Sequence, residues 1–156
     1  MSSIQLSDSV LQSLNQVLQQ LQHSLPPLKQ APDFSSIAFK WQQGELHGIC
    51  SPRQMALDDL KGIERQKQKV VQNTLQFLQG LPANDVLLTG SRGTGKSSIV
   101  RALLNEYSAQ GLRLIEIERD DLRDLPKIQQ LIQNRPEKFI VYCDDLAFNA
   151  EDENYR

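Results

Sequence analysis

Apolar residues recur along this chain at helical spacing in two places, and near-continuous apolar runs appear further on. Over residues 8–25, Val10, Leu11, Leu14, Val17, Leu18, Leu21 and Leu25 return at the three- and four-residue intervals of one helix face. Glutamines fill the opposite face, Ser7 or Asp8 can cap the start, and Pro26, Pro27 and Pro32 close the helix and read as a linker. In residues 37–49, IAFKWQQGELHGI, the residues Ile37, Phe39 and Trp41 alternate with others and QQGE can turn the chain, which predicts a small hairpin. Trp41 reads as a packing anchor rather than a platform for stacking a ligand. From Leu57 the helical interval returns, with Ile63, Val70, Val71, Thr74, Leu75 and Leu78 on one side. That segment stops at Gly80, with Pro82 just beyond.

Strand-like and helix-like stretches then alternate. DVLLT (85–89), LRLIEIE (112–118) and FIVYC (139–143) are apolar enough to be buried strands. A helix from about Gly95 to Ala109 separates the first two and stops at Gly111. Another over 125–134, with Asp124 at its cap, separates the last two. A βαβαβ order with apolar strands implies a parallel sheet covered by helices, hence an α/β fold. The expected division is a helical extension and linker at 1–33, a hairpin at 34–50 and the α/β body from 51 to 156.

Composition narrows the function classes. A length of 156 residues allows one domain with a real core plus an extension, and a net charge of −2 gives no support for a general nucleic-acid or membrane-surface binder. No stretch approaches the length of a membrane-spanning helix, and MSSIQLSDSV lacks the basic-then-apolar form of a signal peptide. Cys50 and Cys143 lie far apart without metal-type spacing, and His23 and His47 are isolated. Two reduced thiols in a cytoplasmic protein are therefore expected, and no zinc site.

The chemistry is concentrated in LLTGSRGTGKSSIVRALL, residues 87–104. Three glycines between an apolar run and an apolar helix cost order without adding packing. GSRGTGKS at 90–97 fits G-x-x-x-x-G-K-[ST], after an expected strand and at the start of an expected helix. Gly90, Gly93 and Gly95 let the backbone wrap a phosphate chain with its N–H groups pointing inward, and the helix adds its N-terminal dipole beneath the anion. Lys96 is expected to reach the β- and γ-phosphates, and Ser97 to offer its hydroxyl to Mg²⁺. Ser91, Arg92, Thr94 and Ser98 complete the candidate nucleotide-binding set. The alternative is a glycine-rich turn with an incidental lysine.

A second motif agrees. FIVYCDDL ends an apolar strand with Asp144 and Asp145, at the carboxyl edge where open parallel sheets bind ligands. Asp144 suits the acid that holds Mg²⁺ through water. Asp145 stands where many ATPases carry a glutamate that activates the attacking water. A solvated strand end or a helix cap would explain the pair without chemistry.

GSRGTGKSS and FIVYCDD, preceded by LDDLKGIERQK, together resemble a P-loop ATPase of the AAA+ superfamily. The nearest likeness is to a bacterial ATP-binding family catalogued as domain of unknown function 815, over roughly residues 37–150. The resemblance implies a parallel sheet, ATP with Mg²⁺, and ring or oligomer formation, with self-association or a protein partner not identifiable from sequence. It also implies that Gly62 and Ile63 line the adenine pocket, although a helix N-terminus explains these two nearly as well. Lys96, Asp144 and Asp145 would be the catalytic residues. The fourth and fifth strands, the polar sensors, the helical lid and the bridging arginine of AAA+ proteins are not found in the sequence. The expectation is thus an N-terminal portion of a longer ATPase, with negligible ATP turnover on its own.

Asp145 is one methylene shorter than glutamate, which bears on hydrogen-bond reach to a water. A nucleotide-dependent binding module or switch without significant hydrolysis therefore stands beside the ATPase reading. A small-molecule kinase would need an acceptor pocket and an arginine-rich lid that are not found. A GTPase is disfavoured because Leu146-Ala147-Phe148 follows the aspartates, with no D-x-x-G.

Overall fold

The computed structural model describes residues 8–24 and 32–146. Ser7, Leu25 and the Pro26-Pro27 pair, assigned above to a cap and a linker, lie outside the described residues. The chain divides into two compact units, residues 1–31 and 32–156. Helix α1, Asp8–Ser24, belongs to the first. Its stripe of Val10, Leu11, Leu14, Val17 and Leu18 is exposed.

The second unit is built on four strands, β1 (Ala38–Gln42), β2 (Glu45–Gly48), β3 (Leu112–Ile117) and β4 (Lys138–Cys143), in the order β2-β1-β3-β4. β1 and β2 form the antiparallel hairpin expected from alternation, turned by Gln43 and Gly44 at φ 53° and 78°. β1 also pairs in parallel with β3, with Phe39 opposite Ile115, and β3 pairs in parallel with β4, with Leu114 opposite Ile140. The fold is α/β, with an open and mostly parallel sheet. The hairpin is built into that sheet, so it shares the sheet's core.

Alternation along the strands loads both faces. Ala38 and Leu114 turn to one face, where Ile99, Val100, Ala102 and Leu104 of helix α3 (Lys96–Tyr107) cover them, joined by Ile140 and Tyr142. Helix α2, Glu64–Leu78, adds Val70, Val71, Leu75 and Leu78 to a cluster with Leu103, Tyr107 and Leu112. Phe39, Trp41, Ile115 and Ile117 turn to the other face, against Ile128 of helix α4 (Leu125–Ile132). Trp41 is 1% exposed, so it is a packing anchor.

Two sequence expectations are corrected. Residues 85–89 are not a buried strand: they pair with no strand, Val86 is 48% exposed and Leu87 74%. A strand exists only where a neighbour satisfies its backbone, and among the described residues β4 pairs on one side only, with β3. The segment is fixed instead at its entry, where the Asn73 side-chain amide donates to Asn84 O (2.8 Å) and its oxygen accepts from Asn84 N (2.9 Å). Leu88 alone packs on the α3 cluster.

The helical segment from Leu57 is interrupted. A 3₁₀ turn at Leu57–Asp59 is followed by Gly62 at φ 76°, and α2 starts only at Glu64. Its end is as expected, with Leu81 N donating to Gln76 O and Gly80 N to Phe77 O, the paired closure that a glycine at positive φ permits. Asp124 is the N-cap residue of α4, as expected, although its side chain makes no cap bond to the helix. The second residue of α4 is Pro126, which has no N–H to offer a cap. Asp124 accepts instead from Trp41 Nε1 (3.2 Å) and Lys127 Nζ (2.6 Å).

Candidate functional site

The 90–97 loop lies at the carboxyl end of the sheet, on the face that α3 covers. Its backbone is set by glycine at two positions above all. Gly90 takes φ 146°, and a Cβ there would stand 3.0 Å from Thr94 Oγ1. Gly95 takes φ 89° as the residue that opens α3, a left-handed conformation that L side chains rarely adopt. Gly93 has φ 83°. Thr94 Oγ1 donates to Ser91 O at 2.8 Å and closes the loop on itself. Arg92 is exposed, while Gly95 to Ser98 are half-buried as the chain enters α3.

The Lys96 ammonium donates to Gly90 O (2.9 Å) and Ser91 O (3.0 Å). It thus folds over the loop, with two carbonyl oxygens as acceptors. Ile63 and Leu60 pack beneath the loop: their Cδ1 and Cδ2 stand 3.5 and 4.0 Å from the position of a Cβ on Gly95. The structure therefore brings Ile63 to the loop. Gly62, next to it, donates its N–H to Glu64 Oε1 at 3.0 Å. Lys67 Nζ donates to Leu57 O and Leu60 O and fastens this segment to α2.

The acidic pair meets the loop directly. Ser97 Oγ donates to Asp144 Oδ2 at 2.7 Å, across 47 residues of sequence. The Ser97 hydroxyl holds the Asp144 carboxyl below the usual carboxylate range, against the effect of burial. Tyr142, the Asp145 amide and the Lys96 charge add to the lowering. Asp145 N donates to Asp144 Oδ1 at 3.0 Å. Asp145 itself sits at φ 51°, the left-handed region that aspartate enters more readily than most residues.

A cleft of about 420 Å³ opens beside the pair, lined by Lys40, Arg101, Glu116, Tyr142, Asp144 and Asp145 among others. Lys40 pairs with Glu118 across it at 2.8 Å. Burial pushes the Tyr142 phenol up to about 12, with the Asp144 carboxylate adding to the rise and Ser97 opposing it. Tyr142 was missed in the sequence, although its two-residue spacing from Asp144 puts both on one face of a strand.

Among the described residues, no group of three His, Cys, Asp or Glu side chains could hold a metal ion by itself. A hard cation here would be held by Ser97 and Asp144 with oxygens from a ligand, which is how Mg²⁺ is commonly bound beside phosphates. The hydroxyl and carboxylate suit such an ion. No described helix is long and apolar enough to cross a membrane.

Residues 35–156 match the family described as "Protein of unknown function (DUF815)". The chain belongs to that family. The matched span contains the loop, the acidic pair and the whole sheet, and begins after α1. No curated protein and no solved structure matches significantly. The family's description names no activity, so a functional reading must come from the site.

Proposed function

We propose that this chain is an AAA+-type P-loop protein that binds ATP or ADP with Mg²⁺ through residues 90–97 and Asp144. The observation that carries the reading is the 2.7 Å bond between Ser97 and Asp144. Two motifs with separate sequence rationales, one for phosphates and one for the metal, converge on one point. A glycine-rich turn without function would have no reason to end against an acid 47 residues away.

Each residue then has a role. The N–H groups around Gly93, Gly95 and Lys96 receive phosphate oxygens, and the start of α3 supplies the favourable end of its dipole. Lys96 exchanges the Gly90 and Ser91 carbonyls for the β- and γ-phosphates. Ser97 and Asp144 hold Mg²⁺, with Asp144 acting through water. Held there, Mg²⁺ would supply positive charge beside the phosphates. Ile63, packed under Gly95, and the neighbouring Gly62 offer a surface to the base.

Hydrolysis is proposed for the assembled ATPase, with Asp145 positioning water. A nucleotide-dependent switch with little turnover is the second reading. It is favoured by Asp145, which is short for a general base and lies past the strand end at φ 51°.

Lys96→Ala tests the first reading. It removes charge-assisted contacts worth roughly 1.5–3 kcal/mol each, so ATP affinity is expected to fall tenfold or more. Calorimetry giving the same affinity for variant and parent would refute it.

A further inference from the structure

We infer that α1 is a self-association element, its leucine stripe docking in coiled-coil geometry on α1 of a second copy of this chain. The inference does not depend on the nucleotide reading. Spacing is its first support. Leu11, Leu14, Leu18, Leu21 and Leu25 follow one another at alternating intervals of three and four residues, the a and d positions of a heptad repeat. A seven-residue repeat keeps an apolar seam facing another helix along its whole length. Val10 and Val17 fall at g, beside the seam, and widen it. Val10, Leu11, Leu14, Val17 and Leu18 are all exposed. The helix has 17 residues, little more than the length at which even alanine-rich helices become marginal in water. Its stability has to come from packing of that apolar face. The family match begins at residue 35, so α1 lies outside the matched domain.

The flanks of the seam say which helix it takes. Residues at e and g set partner choice in a coiled coil, and a charge there calls for the opposite charge on the other helix. In α1 the e positions after the first turn are Asn15 and Gln22, and the g positions are Val10, Val17 and Ser24. Asp8, at the helix start, is the one charged residue in Asp8–Ser24 with its histidine neutral. A side-chain amide both donates and accepts, so an amide flank is complementary to its own copy. A flank of one charge would instead repel its copy and select a different sequence. Nothing along this helix repels a second α1, and nothing on it calls for another partner.

The test uses two charge variants of the full chain that keep all five leucines. One carries Asn15→Lys, Val17→Lys, Gln22→Lys and Ser24→Lys, and the other carries glutamate at the same four positions. Sedimentation velocity over a range of concentration is run on the parent, on each variant and on an equimolar mixture of the two. Emission of Trp41, in the buried core, reports whether the body stays folded. The mass of the parent is expected to rise with concentration. Each variant alone is expected to associate about tenfold more weakly or worse, because like charges meet across the seam. The mixture, in which opposite charges meet, is expected to return to parental association, with Trp41 emission parental in every sample. That rescue requires one α1 to meet another. A parent whose mass stays constant would overturn the inference. Variants that associate as the parent does would place the contact elsewhere and overturn it. A mixture no more associated than its components would assign the stripe to the body of its own chain or to a different protein, and overturn it. Altered Trp41 emission in both variants would mean that α1 covers the body, with the same consequence.

Discussion

The carboxylate of Asp124 receives donors from two elements, Trp41 Nε1 on β1 at 3.2 Å and Lys127 Nζ on α4 at 2.6 Å. Lys127 first and Trp41 second hold this carboxyl below its ordinary value of 3.8. A carboxyl that titrates lower in the folded state than in the unfolded chain stabilises the fold fully above the unfolded value. That contribution is lost as pH falls through the folded one. We therefore expect Asp124→Ala to melt below the parent at neutral pH, with the gap closing as pH drops below about 4. Trp41 is the only tryptophan, so its emission reports on this contact during the melts. A gap that stays constant from pH 7 to pH 2 would remove the ionic basis of the argument. The sequence shows Asp124 beside a helix start but not its partner, because Trp41 is 83 residues away. Ser97 and Asp144 were readable as residue types for the same reason that their meeting was not: spacing rules report neighbours along one element, and this contact joins two.

At the scale of elements, local signals served where the element satisfies itself. The α2 stop at Gly80, the start of α3 at Gly95 and the β1–β2 turn each rest on a backbone conformation that a few adjacent residues dictate. Residues 85–89 are the opposite case. An apolar run states that a segment gains by burial, but the strand it would become needs partners supplied from elsewhere. The parallel insertion of β1 beside β3 was equally invisible, since nothing local specifies which strand a hairpin joins. The two adjacent leucines of this segment give a direct measure. Leu87 is 74% exposed, whereas Leu88 packs on the α3 cluster. Leu87→Ser should change stability by less than about 0.5 kcal/mol, as exposed positions do. Leu88→Ala should cost roughly 1–3 kcal/mol, somewhat below a fully buried leucine. Urea unfolding that gives the two substitutions equal, large costs would place 85–89 inside the sheet after all.

At the scale of the whole molecule, the sheet formed by the described residues has two edges, and they differ in kind. β2 ends one side with four residues, of which Glu45, His47 and Gly48 are exposed, a short and polar edge that discourages pairing. β4 ends the other with KFIVYC, six half-buried residues paired only through β3. Its outer N–H and C=O groups face no strand among the described residues, and 85–89, with Val86 and Leu87 exposed, carries a second set of backbone groups outside the ladder. A parallel sheet is stable when covered on both faces and paired through its centre, so a long apolar edge of this sort favours addition of a strand from another chain. We expect the full chain to self-associate as concentration rises, with β4 as the contact. Sedimentation velocity over a hundredfold range of concentration should show the mass increasing. Hydrogen exchange should show the amides of 138–143 becoming more protected over the same range, while those of β2 do not. Protection at β2 instead would assign association to the wrong edge. A chain that remains monomeric throughout, with exchange at β4 independent of concentration and cooperative unfolding, would mean that this edge is satisfied without a partner.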